Sequence, residues 1–338
     1  MSISWEVELR GGGIYLPQIG LWCDAPKPAA CSFVSHAHFD HLAAHKKIVM
    51  SEATRRLMAA RLPGKREEIV LPFDALHAWD EATYLRLHPA GHIFGSAMLH
   101  VSSEGETLLY TGDFKLKPGL SAEPCLPPRA DTLIMETTFG LPRYVFPSPE
   151  KVWAGIVAFC RETLAEGATP VLFAYSLGKS QELLCGLAQA GLSTMLHPQT
   201  ERMTRICQEA GHAPAPYRAF AMTETGGYAV ICPPQTRSSG WLEKIPRRRT
   251  AIVSGWALDT AAIYRYKCEA AFPLSDHADF NDLLQMVELT RAKRVFTVHG
   301  YAAEFAATLR ERGVEAWALG EDNQLEFSLD GCGRGSTW

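Results

Sequence analysis

The sequence predicts an α/β protein in which one domain is inserted into another. Three observations predict this. Short β-rich runs that end in polar motifs fill the first part of the chain. Helix and strand patterns alternate from residue 148. The pattern of short β-rich runs with polar ends then returns near residue 270. These changes predict a second domain at 148–270 inside a first domain made of 1–147 and 271–338.

The first part of the chain is rich in short strands. Apolar and β-branched residues predict strands in "CSFVSHAHFD", "KKIVMS", "YLRLHPAGH" and "DTLIMETT". The segment "AMLHVSSEGETLLYTGD" predicts a hairpin, because apolar alternation brackets a cluster of turn formers at 102–106. These strands carry polar residues at their ends, where a rigid strand can aim a side chain.

The second part alternates helices with strands, which favours a parallel sheet. Ser148 and Pro149 are typical of a helix N-cap and first helical position, and they start a helix predicted over 149–166. Further helices are predicted over 179–190 and 200–210, with the strand "TPVLFAYS" before them. The resumed first domain contains "AAFPLSDHADF", a helix to about 290, the strand "RVFTVHG" and a helix over 301–313.

Composition limits the class of protein. The formal charge is −4, which argues against a histone-like binder but not against a nuclease. The run "EKIPRRRT", with Lys244 and Arg247 to Arg249, is either a local phosphate-binding patch or a solvated loop. Nine cysteines without a CxxC pair favour reduced thiols, and no stretch resembles a signal peptide or a membrane span, so we expect a cytoplasmic protein with no membrane association.

Metal-competent side chains follow five strand-like segments. In chain order they are His36, His38, Asp40 and His41 after "CSFVS", His92 in "HPAGH", Asp113 in "TGD", His277 in "SDHADF" and His299 in "TVHG". Imidazole and carboxylate ligands suit zinc and also accept manganese. The absence of cysteine from this set argues against a structural thiolate site.

The HxHxDH run cannot place all its groups on one ion, because adjacent side chains diverge, so it predicts two. His36 and His38 lie two apart on an extended segment and point the same way, which suits one ion. Asp40 and His41 would hold the second, and Asp113 is a candidate bridge. Two metal ions about 3.5–4 Å apart can clamp both the attacking and the leaving oxygens of a phosphodiester.

These motifs, in this order, resemble the metallo-β-lactamase superfamily, whose fold is an αββα sandwich with metals at one edge of its two sheets. "LIMETTFG", "SDHADF" and "TVHG" resemble motifs A, B and C of its β-CASP nuclease branch, which carries an inserted α/β domain between motifs A and B. "ETTFGLPRYVFP", "LFAYSLGKSQELL" and "VSGWAL" further resemble bacterial DNA ligase-associated exonucleases, relatives of the Artemis-type repair nucleases.

The resemblance implies a role for each site residue. His36, His38 and His92 would hold one metal and Asp40, His41 and His299 the other, with Asp113 shared, and Asp40 would also orient the nucleophilic hydroxide. Glu136 of motif A would pair with His277 of motif B, which would stabilise the transition state or protonate the leaving oxygen. A carboxylate beside an imidazole raises its pKa and keeps it protonated near neutrality, which suits an acid.

The expected function is therefore a nuclease with two divalent ions, zinc or manganese, acting on DNA in repair as a 5′ to 3′ exonuclease that works with a DNA ligase. RNA processing is the first alternative, because Glu136 and His299 match RNA-processing members of the branch, whereas Artemis-type enzymes tend to lack the motif C histidine. A second alternative is an inactive nucleic-acid-binding or scaffold subunit, although such members usually lose ligands. The motifs disfavour a small-molecule hydrolase.

The segment "SLGKSQELL" is not a P-loop, because Phe173 stands where the first glycine is required. Gly178, Lys179 and Ser180 instead predict a helix start that presents backbone N–H groups and one ammonium to a substrate phosphate. The alternative is that Gly178 only opens the helix and Lys179 is solvated.

Overall fold

The computed structural model describes residues 5–212, 214–222, 224–259 and 261–320, which form three β-sheets with helices around them. The strands are, in chain order, β1 (Glu8–Arg10), β2 (Gly13–Leu16), β3 (Leu21–Cys23), β4 (Cys31–Phe33), β5 (Lys47–Met50), β6 (Glu67–Val70), β7 (His77–Ala78), β8 (Thr83–Pro89), β9 (Ala97–Ser103), β10 (Glu106–Tyr110), β11 (Thr132–Glu136), β12 (Thr169–Phe173), β13 (Thr194–Leu196), β14 (Arg218–Ala219), β15 (Ala229–Cys232), β16 (Arg248–Val253), β17 (Ala270–Phe272), β18 (Arg294–Val298) and β19 (Glu315–Ala318).

The α-helices are α1 (Glu52–Arg61), α2 (Pro149–Ala165), α3 (Lys179–Gln189), α4 (Pro198–Glu209), α5 (Ala262–Tyr266), α6 (Phe280–Thr290) and α7 (Ala302–Glu311). Short 3-10 helices cover Phe39–His41, Pro234–Ser238, Trp241–Lys244 and Gly255–Leu258. Among these described helices, none has the length and apolar character that crossing a membrane would require.

The first two sheets pack face to face. One has the order β1-β2-β3-β4-β5-β6 and the other β19-β18-β11-β10-β9-β8-β7. Their facing sides share one hydrophobic core, in which Leu16 and Phe33 of the first sheet meet Leu99 and Ile134 of the second. Sheets whose inner faces interdigitate in this way form a sandwich.

Helices cover both outer faces of the sandwich. Met58 of α1 packs with Ile48 and Met50 beneath the first sheet. Leu283 of α6 and Phe305 of α7 pack with the outward residues of the second sheet. The layers are therefore α, β, β and α, which confirms the predicted sandwich.

The third sheet is built from the middle of the chain and has the order β14-β13-β15-β12-β16-β17. Each neighbouring pair of its strands is parallel. The apolar sides of α2 and α3 cover one face, as Ile156 and Leu183 do against Leu172. The second sheet, in contrast, joins β11 directly to β18, across the whole segment that forms the third sheet. This topology supports the inserted domain, whose boundaries at 148 and 270 stay predictions.

Local signals predicted several elements closely. The helix predicted over 149–166 is α2, which begins with the Ser148 side chain accepting a hydrogen bond from Lys151 N. The predicted hairpin is the antiparallel pair β9 and β10. The helix predicted over 200–210 begins two residues earlier, because Pro198 occupies its first turn and the His197 side chain caps Gln199 N.

Candidate metal centre

The sandwich brings the strand-end residues together. His36, His38, Asp40 and His41 follow β4, His92 follows β8, Asp113 follows β10, and His299 directly follows β18. Within this set, the Asp113 carboxylate lies close to histidines from two of these strand ends. Its Oδ2 lies 3.3 Å from Nε2 of His41, 3.6 Å from Nε2 of His36 and 3.9 Å from Nε2 of His92. This geometry suits the shared position that the sequence predicts for Asp113.

The remaining members divide into two sides. Nδ1 of His38 lies 3.2 Å from Nε2 of His92, and the ligand atoms of these two and His36 fall within 4.8 Å of one another. On the other side, Asp40 Oδ2 lies 3.7 Å from Nε2 of His41, and the carboxylate is 80% exposed. The His299 ring is more distant, with its centroid 6.1 Å from that of His41.

A tight turn sets the position of His299. The residue has a φ of 59°, which is uncommon for a non-glycine residue, and its carbonyl accepts a hydrogen bond from the Thr137 hydroxyl at 2.6 Å. Gly300 follows with a φ of 57°, and a Cβ there would lie 2.5 Å from the carbonyl oxygen of Thr137. Only glycine fits this approach between the ends of β11 and β18.

The four buried or half-buried imidazoles each direct one nitrogen into the cluster and use the other in a hydrogen bond to the protein. The outer contacts are His36 Nδ1 to Ser35 Oγ at 2.9 Å, His38 Nε2 to the Leu177 carbonyl at 3.2 Å, His41 Nδ1 to Asp24 Oδ2 at 2.9 Å and His92 Nδ1 to the Asp276 carbonyl at 2.9 Å. Such outer partners fix the tautomer and orientation of metal-binding histidines.

One inner nitrogen supports the fit of a metal to the cluster. Nε2 of His36 is buried and has no hydrogen-bond partner among the described residues. An unpaired buried polar atom is costly, and a bound cation would satisfy it. Imidazole nitrogens and a carboxylate are also the donors that zinc prefers.

Asp24 is a part of the site that the sequence analysis missed. Its Oδ2 accepts hydrogen bonds from the hydroxyls of Ser35 at 2.6 Å and Tyr110 at 2.9 Å as well as from His41. Since Ser35 donates to Asp24, Ser35 Oγ accepts from His36 Nδ1. Asp24 thus orients two of the histidines, and it follows β3 as the other site residues follow their strands, so the strand-end rule would have found it.

The charges in the cluster support ligand binding. Burial and the neighbouring His41 hold the pKa of His36 well below its usual value, and burial with the nearby His277 lowers the pKa of His92 to about 4. Burial raises the pKa of Asp113, but His41 and His277 outweigh it and hold this pKa well below the usual range. The neutral imidazoles and the ionised carboxylate are the forms that coordinate metals.

His41 behaves differently from the other histidines. Burial lowers its pKa, but the carboxylates of Asp113 and Asp24 outweigh burial and raise the pKa well above its usual value. A histidine must be neutral on its ligating nitrogen to bind a metal, so binding at His41 would release a proton. Metal affinity at this position would therefore rise with pH.

Glu136 and His277 form the pair that the sequence predicts. Nδ1 of His277 lies 2.9 Å from Oε1 of Glu136, whose carboxylate is buried and accepts further hydrogen bonds from the backbone N–H groups of Phe114 and Thr138. Burial lowers the pKa of His277, but Glu136 and then Asp113 outweigh it and raise this pKa to about 10. The imidazole is therefore held protonated beside the cluster, 4.6 Å from the His92 ring.

The structure does not support direct phosphate binding by Gly178, Lys179 and Ser180. The Lys179 ammonium is buried and lies 2.7 Å from Asp276 Oδ1, and the Ser180 hydroxyl donates to the Tyr175 carbonyl at 2.7 Å. The Gly178 N–H donates to Gln181 Oε1 at 2.7 Å. These partners occupy the groups predicted for substrate, and the alternative of a solvated Lys179 is also wrong, although Gly178 does precede α3.

The cluster opens into a cavity of about 650 Å³. His38, Asp40 and Asp113 line it from the sandwich, and Tyr175 and Trp256 line it from the loops that follow β12 and β16 of the third sheet. A ligand in this cavity would contact both the metal-competent residues and the middle segment of the chain.

Comparisons with known proteins agree with this arrangement. Residues 264–319 match a family described as the Zn-dependent metallo-hydrolase RNA specificity domain. The chain is 56% identical over 97% of its length to a protein of Opitutus terrae named "Probable DNA ligase", of which it covers 32%. It is 24% identical over 85% of its length to the mouse "DNA cross-link repair 1A protein", of which it covers 30%. The chain thus spans about a third of the length of these curated relatives.

A solved structure shares the fold of most of this chain. A crystal structure of a protein of unknown function from Enterococcus faecalis superposes with a TM-score of 0.56 at 14% identity, over 81% of this chain and 76% of the other. At that identity the likeness concerns the fold alone.

Proposed function

Because this chain belongs to the β-CASP branch of the metallo-β-lactamase superfamily, we propose that it is a metal-dependent nuclease that hydrolyses phosphodiester bonds of DNA. One observation carries the proposal: Asp113 Oδ2 lies within 3.9 Å of inner nitrogens of His36, His41 and His92. Nε2 of His36 is buried without a hydrogen-bond partner among the described residues and lies 3.6 Å from this carboxylate, and a bound cation would satisfy both groups.

We assign the predicted ligand roles to these residues. His36, His38 and His92 would hold one divalent ion, and Asp40, His41 and His299 a second, with Asp113 shared between them. Zinc is the first choice, and manganese suits the same donors. Bound divalent ions would supply positive charge to the phosphodiester and lower the pKa of a water molecule.

The side chains around the cluster have two further tasks. Asp40 stands exposed at the cavity beside His41, where a carboxylate can accept a proton from the attacking water and orient it. His277, protonated and held by Glu136, can donate a proton to the leaving oxygen. An alkoxide leaves more readily when it is protonated, so the pair suits ester cleavage.

The relatives support DNA as the substrate. The names of two of them refer to DNA ligation and DNA cross-link repair. We therefore propose a 5′ to 3′ exonuclease that acts in DNA repair in the cytoplasm, in functional association with a DNA ligase. RNA processing is the second candidate, favoured by the matched RNA specificity domain and by Glu136 with His299.

Matched DNA and RNA oligonucleotides, each labelled at one end or the other, test the proposal. The chelator-treated protein should be inactive and should regain cleavage with added Zn²⁺ or Mn²⁺. Products that shorten stepwise from the 5′ end of DNA would support the full assignment. Faster turnover of RNA would move the assignment to RNA processing, and full activity after chelation would overturn the metal-dependent scheme.

Metal analysis separates the inactive-subunit alternative. A chain that binds oligonucleotide, holds less than one ion and cleaves neither polymer would be a binding or scaffold subunit.

A further inference from the structure

The cavity at the metal centre is bordered by exposed aromatic side chains. In the described part of the chain, five aromatic residues are more than a third exposed, namely Phe39, Tyr84, Tyr175, Trp256 and Tyr264. Three of these five, Phe39, Tyr175 and Trp256, line this one cavity. Exposed aromatic surface is unfavourable in water, so its concentration beside a catalytic cluster points to a flat apolar ligand group.

The three aromatic residues come from distant parts of the chain. Phe39 lies in the 3-10 helix that carries Asp40 and His41, Tyr175 follows β12, and Trp256 lies in the 3-10 helix after β16. The first belongs to the sandwich and the other two to the segment of the third sheet. A planar group in the cavity would therefore meet aromatic faces from both parts.

Two of the rings are held firmly by their neighbours. Trp256 packs against the buried Phe139 at a centroid distance of 4.7 Å and against Tyr144 at 5.8 Å, yet remains 38% exposed. Phe39 is 60% exposed, and the Arg61 guanidinium stacks on it at 3.9 Å. A ring that is already ordered loses little entropy when a ligand stacks on it.

Arg61 adds a charge to the same wall. It lines the cavity, and its buried Nε has no hydrogen-bond partner among the described residues. A guanidinium beside an aromatic face is an arrangement that binds single-stranded nucleic acids, since bases stack on the rings while the cation attracts phosphate.

We propose that Phe39, Tyr175 and Trp256 form a stacking site for unpaired bases next to the metal centre. This inference rests on the proposed function and adds the side chains that would recognise an unpaired end. A base inside a duplex has both faces covered by its neighbours, so only an unpaired base can present a face to these rings. The site is tolerant of sequence, because every base has a π-face.

Removal of the base tests the proposal from the substrate side. The substrates are a single-stranded DNA oligonucleotide and the same oligonucleotide with abasic residues at its reacting end. The base should improve kcat/KM of the unaltered protein about 5- to 150-fold, which is 1–3 kcal/mol of stacking at 1.4 kcal/mol per tenfold.

Removal of the rings tests it from the protein side. In Trp256→Leu and Tyr175→Leu, kcat/KM for the normal oligonucleotide should fall, and the penalty for the abasic substrate should shrink toward onefold. Tyr264→Leu is the matched control, because Tyr264 is 83% exposed and does not line the cavity, so its abasic penalty should equal that of the unaltered protein. The inference is overturned if removing the base does not change kcat/KM. It is also overturned if the abasic penalty in the ring variants equals that of the unaltered protein, because the ring and the base would then act independently.

A binding measurement keeps this inference separate from the proposed function. Fluorescence anisotropy of labelled normal and abasic oligonucleotides with Asp113→Asn reports base recognition without cleavage. Base-dependent binding without cleavage by the unaltered protein would sink the nuclease proposal and keep the stacking site. Cleavage with no dependence on the base would keep the nuclease proposal and overturn the stacking site.

Discussion

Two polar segments follow buried strands in this molecule. Both bury polar side chains, but one forms the candidate metal centre and the other an ion pair within the protein. The histidine run follows β4, and Gly178, Lys179 and Ser180 follow β12. In the first, the buried Nε2 of His36 lies 3.6 Å from the nearest carboxylate oxygen, that of Asp113, which is too far for a hydrogen bond. In the second, the buried Lys179 ammonium has a carboxylate at 2.7 Å.

The difference shows what identifies a ligand site. Burial of polar groups costs free energy in either segment, and this cost must be offset by partners. Where the protein supplies the partner, the group is structural. Where several potential metal ligands converge and one has no partner in the protein, a bound ligand can satisfy them, as we propose for the histidine cluster.

The two segments are also connected. The carbonyl of Leu177, just before the second segment, lies 3.2 Å from His38 Nε2. Asp276, the partner of Lys179, offers its carbonyl to His92 Nδ1 at 2.9 Å. The second segment therefore lies beside the two carbonyl groups that orient two of the proposed metal ligands.

Removal of the shared carboxylate should have the largest effect. Asp113→Asn takes a negative charge from a position within 3.9 Å of three histidines, so bound metal should fall and cleavage should drop by about 10³-fold or more. Metal content and oligonucleotide turnover measure this. Asp131→Asn is the control, since that carboxylate bonds Thr107 and Lys293 away from the cluster. Full activity in Asp113→Asn would rule out a shared-ligand scheme.

Removal of the Lys179 charge should affect stability first. Lys179→Met leaves the Asp276 carboxylate without its partner, which costs about 3–5 kcal/mol for a buried pair. Because Asp276 also orients His92, metal affinity should fall about 10- to 100-fold. Urea unfolding and a metal titration measure the two effects.

The double variant Lys179→Met/Asp276→Asn distinguishes a structural pair from a substrate contact. Neutralising both partners should recover most of the stability that the single variant loses. If Lys179→Met had unchanged stability but bound the oligonucleotide more weakly, Lys179 would be a substrate contact, as the sequence predicts.

The acid pair should respond to pH. Glu136→Gln removes the charge that most strongly raises the pKa of His277 toward about 10, so the basic limb of the rate profile should move about one to three units lower. The raised pKa of His277 also sets the direction of the effect on stability. The protonated imidazole stabilises the folded state fully below its ordinary pKa of 6.5, and this contribution is lost as the pH rises through about 10. Glu123→Gln is the control, because this partly buried carboxylate accepts a hydrogen bond from Gly95 N, and the substitution should leave the limb in place.

The sequence predicted the helices, strands and site residues that depend on a local pattern or on a recognisable motif. The capped helix α2 and the β9–β10 hairpin follow from neighbouring residues, and the histidines that converge on Asp113 are those of the HxHxDH and GH motifs. Lys179 was misassigned because its partner Asp276 lies almost a hundred residues along the chain, so that no local signal distinguishes a buried ion pair from a phosphate contact. The orienting roles of Asp24 and Asp276 depend on tertiary packing in the same way.

The smallest expected effect lies at Ser180, where the comparison can be made most finely. Its hydroxyl is fully buried and donates to the Tyr175 carbonyl at 2.7 Å, so Ser180→Ala should cost about 1 kcal/mol of unfolding free energy. Oligonucleotide affinity should stay within about twofold, because the hydroxyl bonds to the protein and would not contact the substrate. Ser148→Ala, the same substitution at the cap of α2, should cost a similar amount of stability and serves as the control. A tenfold loss of affinity in Ser180→Ala with no loss of stability would mean that the hydroxyl turns to the substrate, and the division between the two segments would fail at that residue.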